Sequence, residues 1–372
     1  MADFLILVIL YMITFTVTAY IFLMGDTDYH RNGVVGKTRA AIVQVGMWIF
    51  NHIFPPSLQD SFINTIDHVL YTRNCYLQIV YLLLLLFITV TYTVSIQPHV
   101  EENDLPPAYS IGVYATLTIN WILFLATSFS DPGEITEDNQ QAYNEVYAFD
   151  GLMYVDGNLC RTCGFVKPAR SKHCAFCDRC VHRFDHHCSW VNNCIGGSNV
   201  HLFLMLLITI ALGSVYGTFV TAMVFVTMVR SRGIMEASYV GADGRLYPVT
   251  RLIAFQHMFM EYPGMVFLMT CLSLLSILVG GFAAYHMYLA ITNQTTNERY
   301  KRAITKPQSD HQRQSDSTLK WSKRTSGDFQ RRSNSDRTRE EKETHWRGYS
   351  KGMFRNLIEI FFPFDVNNSK KR

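Results

Sequence analysis

Cysteine is the residue type whose spacing carries chemistry in this chain. Of nine cysteines, Cys160, Cys163, Cys174, Cys177, Cys180, Cys188 and Cys194 share one short stretch, while Cys75 and Cys271 stand apart. The stretch reads Cys160-x2-Cys163, then His173-Cys174-x2-Cys177-x2-Cys180, then Asp185-His186-His187-Cys188, then Cys194. Cys-x2-Cys pairs form tight knuckles that aim two thiolates at one ion, and tetrahedral zinc takes about four such ligands. Cys and His together suffice for two centres with ligands left over; one structural zinc with spare cysteines is the blander reading. Two centres of the Cys3His type leave a single thiol among histidines. A free thiol beside His and Asp is a candidate nucleophile, because the thiolate, not the thiol, attacks. Asp185, His186 and Cys188 are near neighbours, so a local turn is expected to set His186 against the Cys188 sulfur, with Asp185 orienting the imidazole.

Metal or disulfide is decided by the compartment, and the compartment by the apolar segments around the cluster. Hydrophobic residues make up 49% of the 372 residues and charged ones 17%, against about 25% charged in an average soluble protein. This excludes a wholly disordered chain and a small secreted disulfide module. Spanning a bilayer takes about 20 mostly apolar residues. Phe4–Met24, Tyr76–Ile96, Tyr109–Phe129, Leu202–Val229 and Pro263–Ile291 qualify. The first lacks the basic start and small-residue cleavage site of a signal peptide, so it reads as a retained anchor. The loop 98–108 holds three acids and no Lys or Arg and is expected in the lumen. The cysteine-rich loop 131–200 is then cytosolic, 230–262 lumenal despite its four arginines, and the tail from 293 cytosolic. The net charge of +3 hides an asymmetry: 19 basic against 10 acidic residues follow Ile291. A cytosolic setting favours zinc over disulfides. Asn293-Gln294-Thr295 fits the glycan acceptor pattern, but on this side of the membrane no glycan is expected.

Segment 25–75 is expected to be cytosolic or interfacial. Ala40–Phe54 is apolar at helical spacing and ends at Pro55-Pro56, which reads as an amphipathic helix in the membrane surface, with a re-entrant or sixth span as the alternative. Residues 306–347 hold a single aliphatic side chain, Leu319, and are expected to be disordered. Order is expected to resume at Tyr349–Phe364, with Phe354, Leu357, Ile358, Phe361 and Phe362 forming one apolar face. The fold class is therefore mainly α, a polytopic membrane protein of about five transmembrane helices with a cytosolic zinc-binding cysteine-rich domain. Its divisions are 1–24 (span), 25–75, 76–130 (two spans), 131–200, 201–229 (span), 230–262, 263–292 (span) and 293–372.

Asp185-His186-His187-Cys188, set after cysteine knuckles and between two spans, resembles the Asp-His-His-Cys protein S-acyltransferases, the palmitoyltransferases. The likeness runs through Lys167-Pro168-Ala169-Arg170-Ser171-Lys172-His173-Cys174 and Trp190-Val191-Asn192-Asn193-Cys194-Ile195-Gly196 to Asn199 and Phe203. Asp131-Pro132-Gly133, Thr295-Thr296-Asn297-Glu298 and, more loosely, Tyr349–Phe362 with Asn356 resemble the family's shorter motifs. The resemblance implies two structural Zn2+. One takes Cys160, Cys163, His173 and Cys180, the other Cys174, Cys177, His187 and Cys194, which spares only Cys188.

It also implies a two-step transfer of a long-chain acyl group such as palmitoyl. Cys188 attacks an acyl-CoA, with His186 as general base and Asp185 as its orienter, and the acyl group passes to a cysteine of a substrate protein at the cytosolic face. The CoA phosphates call for cations, for which Lys167, Arg170, Lys172, Arg179 and Arg183 are the candidates, with lipid headgroups as competing partners. Gly213 and Gly217 either widen a cavity for the acyl chain or let helices pack closely. The implied partners are cysteine-containing substrate proteins, acyl-CoA and the bilayer, and the implied location is the endoplasmic reticulum or Golgi, with the plasma membrane as alternative. The main competing reading is a catalytically inactive zinc-binding membrane scaffold. No nucleic acid partner is expected, because the loop lacks a basic-aromatic stacking pattern. A transporter is disfavoured by spans without intramembrane charges.

Overall fold

The structure is a computed structural model. It describes residues 10, 13–14, 16–22, 24–27, 29–151, 153–241, 243–302 and 348–363. The segment 306–347, expected to be disordered, lies outside the described residues, as does most of the start of the first expected span; residues 16–22 of that span are helical. The chain forms two compact units divided after Thr72.

In the first unit, α1 (Val34–Ile53) is broken from α2 (Pro56–Tyr71) by the proline pair. A residue before proline is pushed out of the helical region, and Phe54 sits at φ −94°, ψ 137°. The helix expected over 40–54 therefore starts earlier than its apolar run, and α2 was not foreseen. Ile42, Val45, Trp48 and Ile49 on α1 and Leu58 and Phe62 on α2 are exposed, as suits side chains whose solvent is lipid.

The second unit is a bundle. Helix α3 (Tyr76–Ser95) runs on through a bend at Ile96 into the short α4 (Gln97–Glu102), where Pro98 sits in the first turn and gives up no hydrogen bond. With α5 (Ala108–Phe129), α7 (Val200–Ser231) and α9 (Pro263–Ile291) it makes four helices long and apolar enough to cross a membrane among the described residues. At 32 residues, α7 measures roughly 48 Å and outreaches a hydrocarbon core of about 30 Å. It packs chiefly on α9 and α5. At Gly217 a Cβ would come within 2.9 Å of the Leu272 side chain, and at Gly213 within 3.4 Å of Thr116. Gly217 thus serves close helix packing, whereas at Gly213 a Cβ would make ordinary contact.

Two apolar cores fill the bundle. Tyr92, Ile96, Val113, Val220, Val224, Met258 and Met265 fill the end bearing the β6–β7 hairpin (Ser238–Val240, Leu246–Pro248) and α8 (Arg251–Glu261). Phe124, Phe203, Leu206, Leu207 and Ala283 fill the other, beneath the cysteine-rich segment. That segment is mostly loop, with α6 (Gln140–Asn144) and two small sheets. The first has the order β1-β3-β2 (Glu134–Ile135, Arg179–Val181, Lys172–Cys174), and the second pairs β4 (His186–Cys188) with β5 (Asn193–Ile195).

Helix α10 (Met353–Phe361) follows Gly352, whose φ of 93° favours glycine. Its packed face carries Asn356, Leu357, Ile360 and Phe361 against Leu204 and Ala290, whereas Phe354, Ile358 and Phe362 are exposed. The expected single apolar face is thus split by the helical period. One side meets the bundle, the other remains greasy and outward.

Candidate active site and metal centres

Alternation along two three-residue strands explains how ligands and reacting groups sort themselves. Successive side chains of a strand point to opposite faces. On β2, His173 faces one cluster and Cys174 the other. Strand pairing sets His173 opposite Cys180 on β3. On β4, His187 points to one face and lies opposite Cys194 on β5, while His186 and Cys188 share the other face. The expected local turn is thus a strand, and a strand brings an i, i+2 pair together more rigidly.

The ligand atoms of Cys160, Cys163, His173 and Cys180 lie within 4.8 Å of one another, as do those of Cys174, Cys177, His187 and Cys194. Cys163 Sγ is 3.3 Å and Cys180 Sγ 3.9 Å from His173 Nδ1. Cys177, Cys174 and Cys194 stand 3.4, 3.8 and 3.8 Å from His187 Nδ1. Zn–S bonds of about 2.3 Å in a tetrahedron put ligand atoms about 3.7 Å apart, so both donor sets fit zinc. Each has four protein ligands and leaves no open position, which suits structural ions. The first knuckle closes through Gly164 (φ 80°), whose N–H donates to the Cys160 carbonyl at 2.9 Å. His173 directs its other nitrogen to Asp178 at 3.4 Å, the outer-shell contact that fixes a metal-binding ring.

On the free face of β4, Asp185 Oδ2 lies 2.6 Å from His186 Nδ1. The carboxylate also accepts from Thr296 N–H at 2.6 Å and Thr296 Oγ1 at 3.0 Å. Asp185 is buried. Burial pushes its carboxyl up, but the His186 and Thr296 hydrogen bonds outweigh this and hold it below the usual range. Burial likewise disfavours the His186 imidazolium; the bonds to Asp185 and Cys188 more than offset that and raise it to about 10. For Cys188, burial raises the thiol, and His186 together with the Val191 and Trp190 amides brings it below its ordinary value. The arrangement favours a thiolate–imidazolium pair. Cys188 packs among Phe124, Val191, Phe203, Leu206 and Ala283, where the apolar ends of three spanning helices meet the cysteine-rich segment.

The five basic candidates separate. Arg170 is fully buried, donating to Glu298 at 2.7 and 3.1 Å and to Asn293 at 2.9 Å, with its guanidinium stacked on Tyr147 and Tyr349. Arg183 is buried on Asn293 at 3.0 Å. Arg179 reaches Glu134 at 2.6 Å and Asn193 at 3.2 Å. These three brace the segment internally. Lys167 and Lys172 line a cavity of about 230 Å³ together with Tyr154, Ser171 and Lys301. Lys301 was missed, because it follows the last span by ten positions and only the fold returns it to the loop. His286 was missed as well, although a titratable side chain in an otherwise apolar span is a signal.

Residues 154–303 match the sequence model of the DHHC palmitoyltransferases. A membrane-embedded helix bundle, two Cys3His clusters and a Cys–His–Asp set define the class, and the chain belongs to the DHHC palmitoyltransferase family. It is thus a protein S-acyltransferase and an integral membrane protein. The palmitoyltransferase ZDHHC4 of Bos taurus is 34% identical to it over 80% of this chain and 85% of the bovine protein. The Mus musculus protein of the same name is 36% identical over 70% of this chain and 76% of its own length. The palmitoyltransferase SWF1 of Yarrowia lipolytica is 30% identical over 56% and 53%.

Proposed function

We propose that Cys188 carries the acyl group. Its thiolate adds to the carbonyl carbon of a palmitoyl-CoA thioester, the bond to the CoA sulfur breaks, and the CoA thiolate takes the proton that His186 had drawn from Cys188. In the second half, His186 takes the proton of a substrate cysteine, whose thiolate adds to the acyl-enzyme and expels Cys188. Asp185, anchored by Thr296, holds the imidazole orientation throughout. The observation that carries this reading is the shared face of His186 and Cys188 on β4, with Asp185 at 2.6 Å on the far ring nitrogen.

The apolar helix ends around Cys188 suit the acyl chain, each methylene of which gains about 0.8 kcal/mol on leaving water. Lys167 and Lys172, joined by Lys301, would meet the CoA phosphates. Two Zn2+ on the ligand sets described would hold β2–β5 in place without entering the reaction. The cysteine-rich segment 131–200 and the residues after 293 would face the cytosol, where the partners are proteins bearing accessible cysteines. An endomembrane location, in the endoplasmic reticulum or Golgi, fits this reading.

Purified protein in detergent, mixed with palmitoyl-CoA, is expected to gain one palmitoyl mass that hydroxylamine removes. The Cys188→Ser protein is expected to gain none. An adduct of equal yield on Cys188→Ser would contradict the assignment.

A further inference from the structure

His286 sits on α9, 6% exposed, one turn beyond Ala283, which packs in the cluster that buries Cys188. Its ring centroid lies 5.8 Å from that of His186. Phe203 packs edge-on against both rings, 5.2 Å from each. Phe282 closes on it at 4.5 Å. With Asp185 and Phe203 it lines a narrow cleft beside the dyad. Phe203, Phe282 and Tyr285 pack on its ring, and no hydrogen bond reaches its imidazole nitrogens among the described residues. An imidazole that lines the cleft with no hydrogen-bond partner is available to an adjacent reaction centre that generates an oxyanion.

We propose that His286 donates a hydrogen bond to the carbonyl oxygen of the acyl group as it passes through Cys188; this rests on Cys188 being the acyl carrier. When the Cys188 thiolate adds to the thioester carbon, the carbonyl electron pair moves onto oxygen. The C–S bond to CoA then breaks, the carbonyl reforms, and the CoA thiolate takes its proton from His186. His286 keeps its own proton. The same contact serves the second half, where the acceptor thiolate adds and Cys188 leaves. The neutral ring suffices, because the donor is an N–H. Phe203, Phe282 and Tyr285 hold its direction before the substrate arrives, so the donor needs no reorganisation at the moment of reaction.

The test is single-turnover acylation by palmitoyl-CoA of the full-length protein and of His286→Phe, His286→Gln and Cys188→Ser. His286→Phe is expected to slow acylation by on the order of 10²-fold, with two zincs retained and KM for palmitoyl-CoA unchanged. His286→Gln keeps an N–H donor and is expected to recover a large part of the rate. Wild-type rates in His286→Phe, or equal losses in both variants, would overturn the proposal, as would a loss confined to KM. If His286→Phe fails to fold, His286→Met replaces it with the same expectation. Acylation that persists in Cys188→Ser would instead overturn the nucleophile assignment on which the proposal stands.

Discussion

Thr296 is the residue through which one end of the bundle reaches the reacting groups. Its backbone N–H and hydroxyl both donate to Asp185, and Asp185 holds His186. Thr296→Val removes one bond to a charged group, worth about 1.5–3 kcal/mol, so acyl-enzyme formation is expected to fall roughly 10-fold or somewhat more. Asp185→Asn loses the carboxylate that steadies the imidazolium and is expected to cost more, on the order of 10²-fold or above. Stopped-flow or quenched acylation rates check the order of the two; a Thr296→Val protein as slow as Asp185→Asn would contradict it. The proposed reacting residues were legible in the sequence because chemistry, spacing and an odd cysteine all pointed to Cys188. Thr296, just past the last span, was legible as a residue able to hydrogen-bond the loop, but not as the partner of Asp185 in particular. Nothing local ties it to Asp185, 111 positions away.

Among elements, the two short sheets and the segment after α9 are joined by one buried ion pair. Arg170 leaves the loop before β2 and meets Glu298 and Asn293 just past the last span, with Tyr147 and Tyr349 on its faces. Removing one charge of such a pair strands the other; Arg170→Met is expected to cost roughly 3–5 kcal/mol. Arg170→Met combined with Glu298→Leu is expected to lose distinctly less than the two single changes together. Thermal unfolding of the four proteins in one detergent reads the cycle, and strictly additive losses would refute the pairing.

The proposed zinc centres act at the same scale. Cys163→Ser is expected to leave close to one zinc by elemental analysis, because the second set shares none of its ligands. A value near zero would show the two centres to be one cooperative unit. Loop arginines ordinarily meet water or a ligand, so the sequence offered Arg170, Arg179 and Arg183 as phosphate contacts. Arg170 and Arg183 are instead buried on Asn293 and Glu298, more than a hundred positions along the chain, and Arg179 is held by Glu134 and Asn193. The interleaving of the proposed zinc ligands is a matter of strand alternation, which three-residue strands do not announce through hydrophobic pattern.

For the whole molecule, the spans were the easiest part to read. Long uncharged runs have few structural alternatives, and the four described spanning helices begin and end within a few residues of the expected ones. Helix α2 and the outward side of α10 escaped notice because short segments of mixed polarity are decided by what they pack against. Orientation follows from charge, and it is testable. An acceptor built at the β6–β7 turn by Gly241→Asn with Asp243→Thr is expected to gain a glycan removable by endoglycosidase. Asn293, buried on Arg170 and Arg183, is expected to gain none. A glycan on Asn293 with none at the turn would invert the topology.

Transfer through Cys188 is the claim on which the rest depends, and a chase experiment tests it most directly. The protein is loaded with labelled palmitoyl-CoA, freed of excess donor, and given a cysteine-containing acceptor in the same detergent. Label is expected to leave the enzyme and enter the acceptor in equal amounts, with Cys188→Ser neither loading nor transferring. Acceptor labelled by Cys188→Ser, or enzyme label that stays in place as the acceptor fills from residual donor, would contradict the account.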